Sequence, residues 1–168
     1  MRVAVLSDSH DHVTNTRCAV SLAAERGATH LFHCGDLVAP FMLRELAAFP
    51  GPVHVVFGNN DGDILLMTRV AADCPNLTLH GQLGGHDLDG REIAFTHTPN
   101  IARPLAASGL FSAVFFGHTH LVLQEYLGGC LLLNPGDIMG KDGRPSFALY
   151  NPATHDSEII VFEQQSGP

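Results

Sequence analysis

The sequence predicts an α/β fold in which a parallel sheet formed by the N-terminal half is followed by a second, more antiparallel set of strands. Three observations carry this expectation. From residue 1 to Asp73, short apolar runs rich in Val, Leu and Phe alternate with longer amphipathic stretches, the pattern of parallel strands joined by helices. Beyond that point Asp89-Gly90 stands between two strand-like runs, the signal of a tight hairpin. The chain has 168 residues, 45% of them apolar and only 15% charged, and a chain of that size buries roughly two-thirds of its unfolded surface in one core. One domain over residues 1–163 is expected, with 164–168 a frayed tail.

The elements follow in order. Val3 to Leu6 is the first strand, and the helix after it, Val13 to about Arg26, closes at Gly27. Thr29 to His33 is the second strand. Pro40 suits the first turn of the next helix, which ends before Pro50-Gly51-Pro52. Val53 to Phe57 is the third strand, and Gly62 to Asp73 reads as a third helix. In the second half, His86 to Leu88 pairs with Arg91 to Phe95 across Asp89-Gly90. Val114 to Phe116, Leu121 to Leu127, Cys130 to Leu133, Ser146 to Tyr150 and Glu158 to Phe162 read as further strands, with Gly128-Gly129 a second hairpin turn and antiparallel pairing expected. Two sheets accommodate this set. No internal repeat or low-complexity tract interrupts the chain.

Composition narrows the function classes. Nine Lys+Arg against 17 Asp+Glu give a net charge of −8, and Lys141 is the only lysine, so there is no basic stripe for extended nucleic-acid binding. No apolar stretch approaches the roughly 18 residues of a membrane helix. Cys18, Cys34, Cys74 and Cys130 form no C-x-x-C pair, which fits reduced thiols in the cytoplasm, and the short apolar run after Met1 does not read as a signal peptide. The 11 histidines outnumber all Lys and Arg together, and imidazole is the commonest protein metal ligand.

Five apolar runs are each followed at once by a polar cluster: Asp8-Ser-His10, Gly35-Asp36, Gly58-Asn-Asn-Asp61, Thr96-His97 and Gly117-His-Thr-His120. In an open α/β sheet the carboxyl ends of the strands lie along one edge, where ligands bind, so the clusters are expected to converge. They would bring together two carboxylates, one amide oxygen and four imidazoles, a donor set suited to first-row divalent metals. Seven donors are too many for one ion. Two ions roughly 3.5–4 Å apart need one bridging carboxylate, and Asp36 is the natural bridge. Asp8 with His10, and His118 with His120, are alternate residues of extended segments and point the same way; each pair serves one ion or straddles both. The preceding glycines, Gly35, Gly58 and Gly117, fit sharp turns where backbone closely approaches metal or substrate.

Ser7-Asp-Ser-His-Asp-His12, His33-Cys-Gly-Asp36, Phe57-Gly-Asn-Asn-Asp61, Phe95-Thr-His97, Phe116-Gly-His-Thr-His120 and Leu133-Asn-Pro-Gly136 resemble the calcineurin-like metallophosphoesterases, and most closely their small bacterial and archaeal phosphodiesterase branch. The resemblance runs in order over residues 1 to about 162. It implies a four-layer αββα sandwich of two mixed sheets flanked by helices, and hydrolysis of a small phosphoester by a hydroxide bridging two divalent ions. Manganese is the leading ion, with nickel, iron, zinc and magnesium as alternatives. Carried across, Asp8, His10 and His120 hold one ion, Asn59, His97 and His118 the other, and Asp36 both.

The sequence departs from the pattern twice. Many family phosphatases have a histidine where Asn60 stands; an amide cannot protonate a leaving group, so Asn60 is assigned to the substrate side of the site, and diesters or activated monoesters are favoured. Thr98-Pro99-Asn100 replaces the usual Gly-His, with Pro99 expected to stiffen a loop; His12 or His33 is a candidate to compensate. His30, His54, His80, His86 and His155 lie away from the clusters and are expected at the surface or satisfied in the core. Cys34 reads as a small buried residue, and Asn134-Pro-Gly136 as either a site-shaping segment or a turn. Loops near Val38, Asp63, Asn100 to Arg103 and Lys141 to Arg144 are candidate pocket walls. The opposing reading is a scaffold of the same fold, as in a protein-trafficking relative with an eroded metal site. An amidohydrolase barrel needs about 250 residues, and the metallo-β-lactamase HxHxDH pattern fails at Val13-Thr14. Natural substrate and oligomeric state are not written in these motifs.

Overall fold

The parallel half follows the expected course and adds one strand. In the computed structural model, which describes residues 1–165, β1 (Val3–Leu6), α1 (Val13–Glu25), β2 (His30–His33), α2 (Met42–Ala47), β3 (Val53–Val55), α3 (Ile64–Ala72) and β4 (Leu77–Leu79) succeed one another. β1 to β4 pair in parallel. His12 caps α1 by accepting from the Asn15 amide at 3.2 Å, and the helix stops before Gly27 at φ +77°, a conformation that suits glycine. α2 starts two residues beyond Pro40, because Met42 and Leu43 donate to Ala39 and Pro40, a tighter turn than an α-helix makes. β4 was not foreseen: three residues between short loops carry too little alternation to read as a strand.

The second half comprises β5 (Leu83–Leu88), β6 (Arg91–Thr96), α4 (Pro99–Ala107), β7 (Ala113–Phe115), β8 (Val122–Leu127), β9 (Cys130–Pro135), β10 (Ser146–Asn151) and β11 (Asp156–Val161). The β5–β6 turn has Asp89 at φ 54° and Gly90 at φ 83°, as a two-residue hairpin requires. The antiparallel expectation holds for β5–β6, β8–β9 and β10–β11 but not for β7, which is parallel to β6 and to β9. The cause is α4, read from sequence as a loop: it is the crossover that parallel neighbours need. Pro99 is accepted in its first turn, where an amide hydrogen is not required. Pro104 inside the helix masked it from a sequence reading.

Two mixed sheets result, ordered β11-β10-β1-β2-β3-β4 and β5-β6-β7-β9-β8. Three apolar cores separate four layers. Ala4, Leu6, Leu31, Val53 and Val55 face α1–α3. Val3, Val5, Phe32, Phe95, Phe115 and Leu133 fill the space between the sheets. Ala94, Val114 and Leu132 meet Ala102 and Ala106 of α4. β1 thus alternates Val3 and Val5 inward with Ala4 and Leu6 outward, and burial on both faces explains its unbroken apolar run; each such large side chain adds roughly 1.5–3 kcal/mol. Of the expected frayed tail, Gln164 Nε2 lies 2.9 Å from His12 Nε2 and the Gln165 amide donates to Asn15 Oδ1 at 2.8 Å; residues 166–168 lie outside the described residues.

Candidate metal centre

The loops leaving β1, β2, β3, β6 and β7 meet at one edge, where backbone bonds stitch them together. Asp8 donates to the Gly35 carbonyl at 3.1 Å, His10 to Asp36 at 3.0 Å, and Gly117 to His97 at 3.0 Å. Asp8, His10, Asp36, His118 and His120 all have positive φ, between 41° and 71°. Backbone of that kind is uncommon and costly for residues other than glycine. The turns pack so closely that a Cβ on Gly117 would collide with Ser7 Oγ and Asp8 Oδ2, and one on Gly58 with the Asp36 carboxylate.

The seven donors singled out in sequence are all brought together, linked by contacts of 3.7 Å or less. Asp8 Oδ1 lies 3.7 Å from His10 Nε2 and 3.4 Å from His120 Nε2. Asp36 Oδ2 lies 3.6 Å from His10 Nε2 and 3.4 Å from His97 Nε2. Asn59 Oδ1 is 3.1 Å from His97 Nε2 and 2.9 Å from His118 Nδ1. Asp8, His10 and His120 form one group whose ligand atoms fall within 4.8 Å of one another, and Asp8, Asp36 and His97 form another.

The surrounding bonds fix which atoms face this space. His97 Nδ1 donates to the Cys34 carbonyl at 2.7 Å, and His120 Nδ1 pairs with Asp137 Oδ2 at 3.0 Å, which leaves Nε2 of each ring as the inward atom. Ser7 Oγ and the His118 amide both donate to Asp8 Oδ2, at 2.6 and 3.0 Å. Asp8 Oδ1 and His10 Nε2 are buried without any hydrogen-bond partner. Burial alone would raise the pKa of Asp8, but the His10 ring 3.7 Å away and the bond from Ser7 hold it below the ordinary value. Burial opposes the Asp36 charge too, yet the His97 ring at 3.4 Å and bonds from Asn60 keep it well below the usual carboxylate range. His10 is raised by the neighbouring Asp8 carboxylate; burial lowers His97, and contact with Asp36 and Asp8 more than restores it. Two ionised carboxylates facing inward nitrogens at 3.4–3.7 Å form a site that favours a cation between them, and the orphaned Asp8 Oδ1 and His10 Nε2 fit a divalent metal.

Several supports were not read from the sequence. Asp61 accepts from the amides of Asp36 (3.0 Å), Leu37 (2.7 Å), Val38 (2.8 Å) and Gly58 (2.7 Å), clamping the loops after β2 and β3. Asp137 orients His120 and accepts from the Lys141 amide at 3.1 Å. Asp61 ends one quoted motif and Asp137 follows another, but four converging amides are a tertiary fact. Asn60 donates through its backbone and side-chain nitrogens to the two Asp36 oxygens, at 2.8 and 2.7 Å, so its amide is committed to that carboxylate. His12 is a helix cap, whereas His33 is fully buried, accepts from the Gly35 amide at 3.3 Å and is pushed down to about 4 by burial. Asn134 donates to the Gly117 carbonyl at 2.8 Å, shaping the His118 loop. Of the expected pocket walls, Asp63 caps α3 and 100–103 belong to α4. From that helix Ile101 does wall a cavity of about 110 Å³ beside Asn59 and His97, together with Phe57, Gln82 and Thr98.

The same arrangement defines a protein class. A model of the calcineurin-like phosphoesterase superfamily domain matches residues 1–155, and the chain belongs to that family. It is 26% identical to Phosphodiesterase MJ0936 of Methanocaldococcus jannaschii, over 97% of this chain and 100% of the relative. It is 30% identical to the probable metallophosphoesterase YsnB of Bacillus subtilis, over 99% and 93% respectively. A solved archaeal phosphodiesterase superposes with a TM-score of 0.90 at 26% identity, covering 96% of this chain and 100% of that one.

Proposed function

We propose that the chain is a two-metal phosphodiesterase, with Asp8, His10 and His120 on one ion, Asn59, His97 and His118 on the other, and Asp36 between them. One observation carries the reading: seven donors from five strand ends linked within 3.7 Å, with Asp8 Oδ1 and His10 Nε2 buried and unpartnered among them. Two bound ions would acidify the attacking water and neutralise charge on the phosphoryl oxygens. The protein's part is positioning. Each Asp36 oxygen has two lone pairs, so the bonds from Asn60 hold the carboxylate and leave an electron pair on each oxygen free. Cys34 and Asp137 orient His97 and His120 by the nitrogen facing away from the site. Asn60 has no proton to give, which favours substrates whose leaving group departs unaided: diesters of acidic alcohols, or activated monoesters. The cavity beside Asn59 suits a small substituent.

Manganese is the first ion to test, and a cytoplasmic enzyme with a single domain and a small phosphoester substrate is the setting we assign. No helix among the described residues is long and apolar enough to cross a membrane. A scaffold role is disfavoured, because it has no use for a full set of donors held in strained backbone. The test is to strip the protein of metal, reload with manganese, nickel, zinc or magnesium, and compare hydrolysis of an activated diester with that of an activated monoester. Asp36→Ala is expected to lose well over a hundredfold in rate; near-wild-type turnover would remove the bridging assignment.

A further inference from the structure

A second group of imidazoles lies away from the strand-end loops. Strand alternation turns Val53 and Val55 of β3 toward the helices, so His54 faces the space between the sheets, beside its register partner Phe32. His30 of β2 and His80, just after β4, share that face, and His86 of β5 approaches from the opposite sheet on the same face as buried Leu88. Ring centroids are 4.3 Å apart for His54–His86, 5.2 Å for His54–His80, 5.7 Å for His30–His86 and 6.2 Å for His30–His54. The pairs His10–His120 and His97–His118 in the candidate metal centre stand at 5.2 and 5.1 Å. These four histidines were expected at the surface or satisfied in the core; His54 is neither.

His54 is only 7% exposed, and its Nε2 is buried with no hydrogen-bond partner. Its Nδ1 lies 3.1 Å from His80 Nε2. When Nδ1 carries the proton and donates it to His80, Nε2 presents a lone pair, as a metal-binding imidazole does when a neighbour holds its other nitrogen. His30 is arranged similarly, with Nδ1 at 3.0 Å from Thr29 Oγ1. We propose that His30, His54 and His86 form a separate site for one zinc ion, with His80 orienting His54. Three imidazoles without a carboxylate favour zinc over magnesium or manganese, and three protein ligands plus water complete a tetrahedron. Burial, and then the neighbouring rings, push His54 down to about 3 and lower His30 and His80, so these three rings are uncharged at neutral pH. Their nitrogens are not gathered within 4.8 Å of one another in this structure. Zinc binding here therefore requires the rings of His30 and His86, both half-buried at the lip, to turn toward His54. An ion here ties β2 and β3 of one sheet to β5 of the other.

The experiment counts zinc in desalted full-length wild type, His30→Ala, His86→Ala and the control His155→Ala, whose ring is already bonded to Tyr150 and Gly129. Wild type and control are expected to retain one more zinc per chain than the two variants, whose zinc-bound phosphoesterase activity stays within twofold of wild type. Imidazole nitrogen NMR of wild type then reads the site without mutation: the His54 Nε2 resonance shifts on adding zinc. Equal zinc in all four proteins, the same loss in the control, or an unmoved His54 resonance would each overturn the proposal.

Discussion

Asp61 offers a direct test of how the centre is held, because it touches none of the proposed metals yet clamps two ligand-bearing loops. In Asp61→Asn, one oxygen can keep the Leu37 and Val38 amides, while the other is replaced by an NH₂ group facing the Asp36 and Gly58 amides, both donors. Two hydrogen bonds to a charged acceptor are lost, nominally about 1.5–3 kcal/mol each. Asp61 is half-exposed and water recovers part of that, so a destabilisation of about 2–4 kcal/mol is expected, a large share of the about 5–15 kcal/mol typical of a domain. The loop also recoils from the introduced NH₂ group, moving Asp36 and the Asn60 amide bonded to it. A displacement near 1 Å at such a site costs about a hundredfold in rate. Urea unfolding gives the first number, and manganese-loaded hydrolysis of an activated diester below the unfolding range gives the second. A variant within about 0.5 kcal/mol of wild type, or within twofold in rate, would refute the clamp.

Three further outcomes follow from the same geometry. Asn60→His should raise monoesterase relative to diesterase activity by supplying a proton donor, and an unchanged ratio would count against the leaving-group argument. Gly117→Ala, whose methyl meets Ser7 and Asp8, should lower stability by about 1–3 kcal/mol and weaken manganese retention, read by thermal unfolding and metal content; wild-type values for both would show that the close approach is not needed. His54, pushed down to about 3 by burial and its neighbouring rings, stays neutral in the folded chain where the unfolded chain, near pKa 6.5, takes up a proton. Its stabilising effect is therefore complete above about pH 6.5 and declines as pH falls toward 3, by about 2 kcal/mol between pH 7 and 5. Chelator-treated wild type should lose that much more than His54→Phe over this interval in urea titrations, and equal losses would show that His54 does not carry the effect.

Much of this architecture is legible in the linear chain, for local reasons. Val3 to Leu6 is a strand buried on both faces and needs an unbroken apolar run; Asp89-Gly90 accepts positive φ and reads as a hairpin turn; each polar cluster begins where an apolar run stops. α4 was illegible because Pro104 breaks a helix in a local reading; Pro99 suits a first turn, but only the need to cross from β6 to β7 carries the helix through Pro104. β4 was too short to show alternation.

The sequence by itself determined which donors exist and that they sit at strand ends, because residue type and strand periodicity are local properties. Tertiary structure alone decided that the Asp61 carboxylate would gather four amides, that Asp137 and the Cys34 carbonyl would set the His120 and His97 rings, and that His54 would be buried beside three other imidazoles. Strand pairing within each sheet brings the loop after β3 to the loop after β2, and Asp137 after β9 to the loop after β7; packing the two sheets face to face brings the Cys34 carbonyl to His97 and His86 to His54.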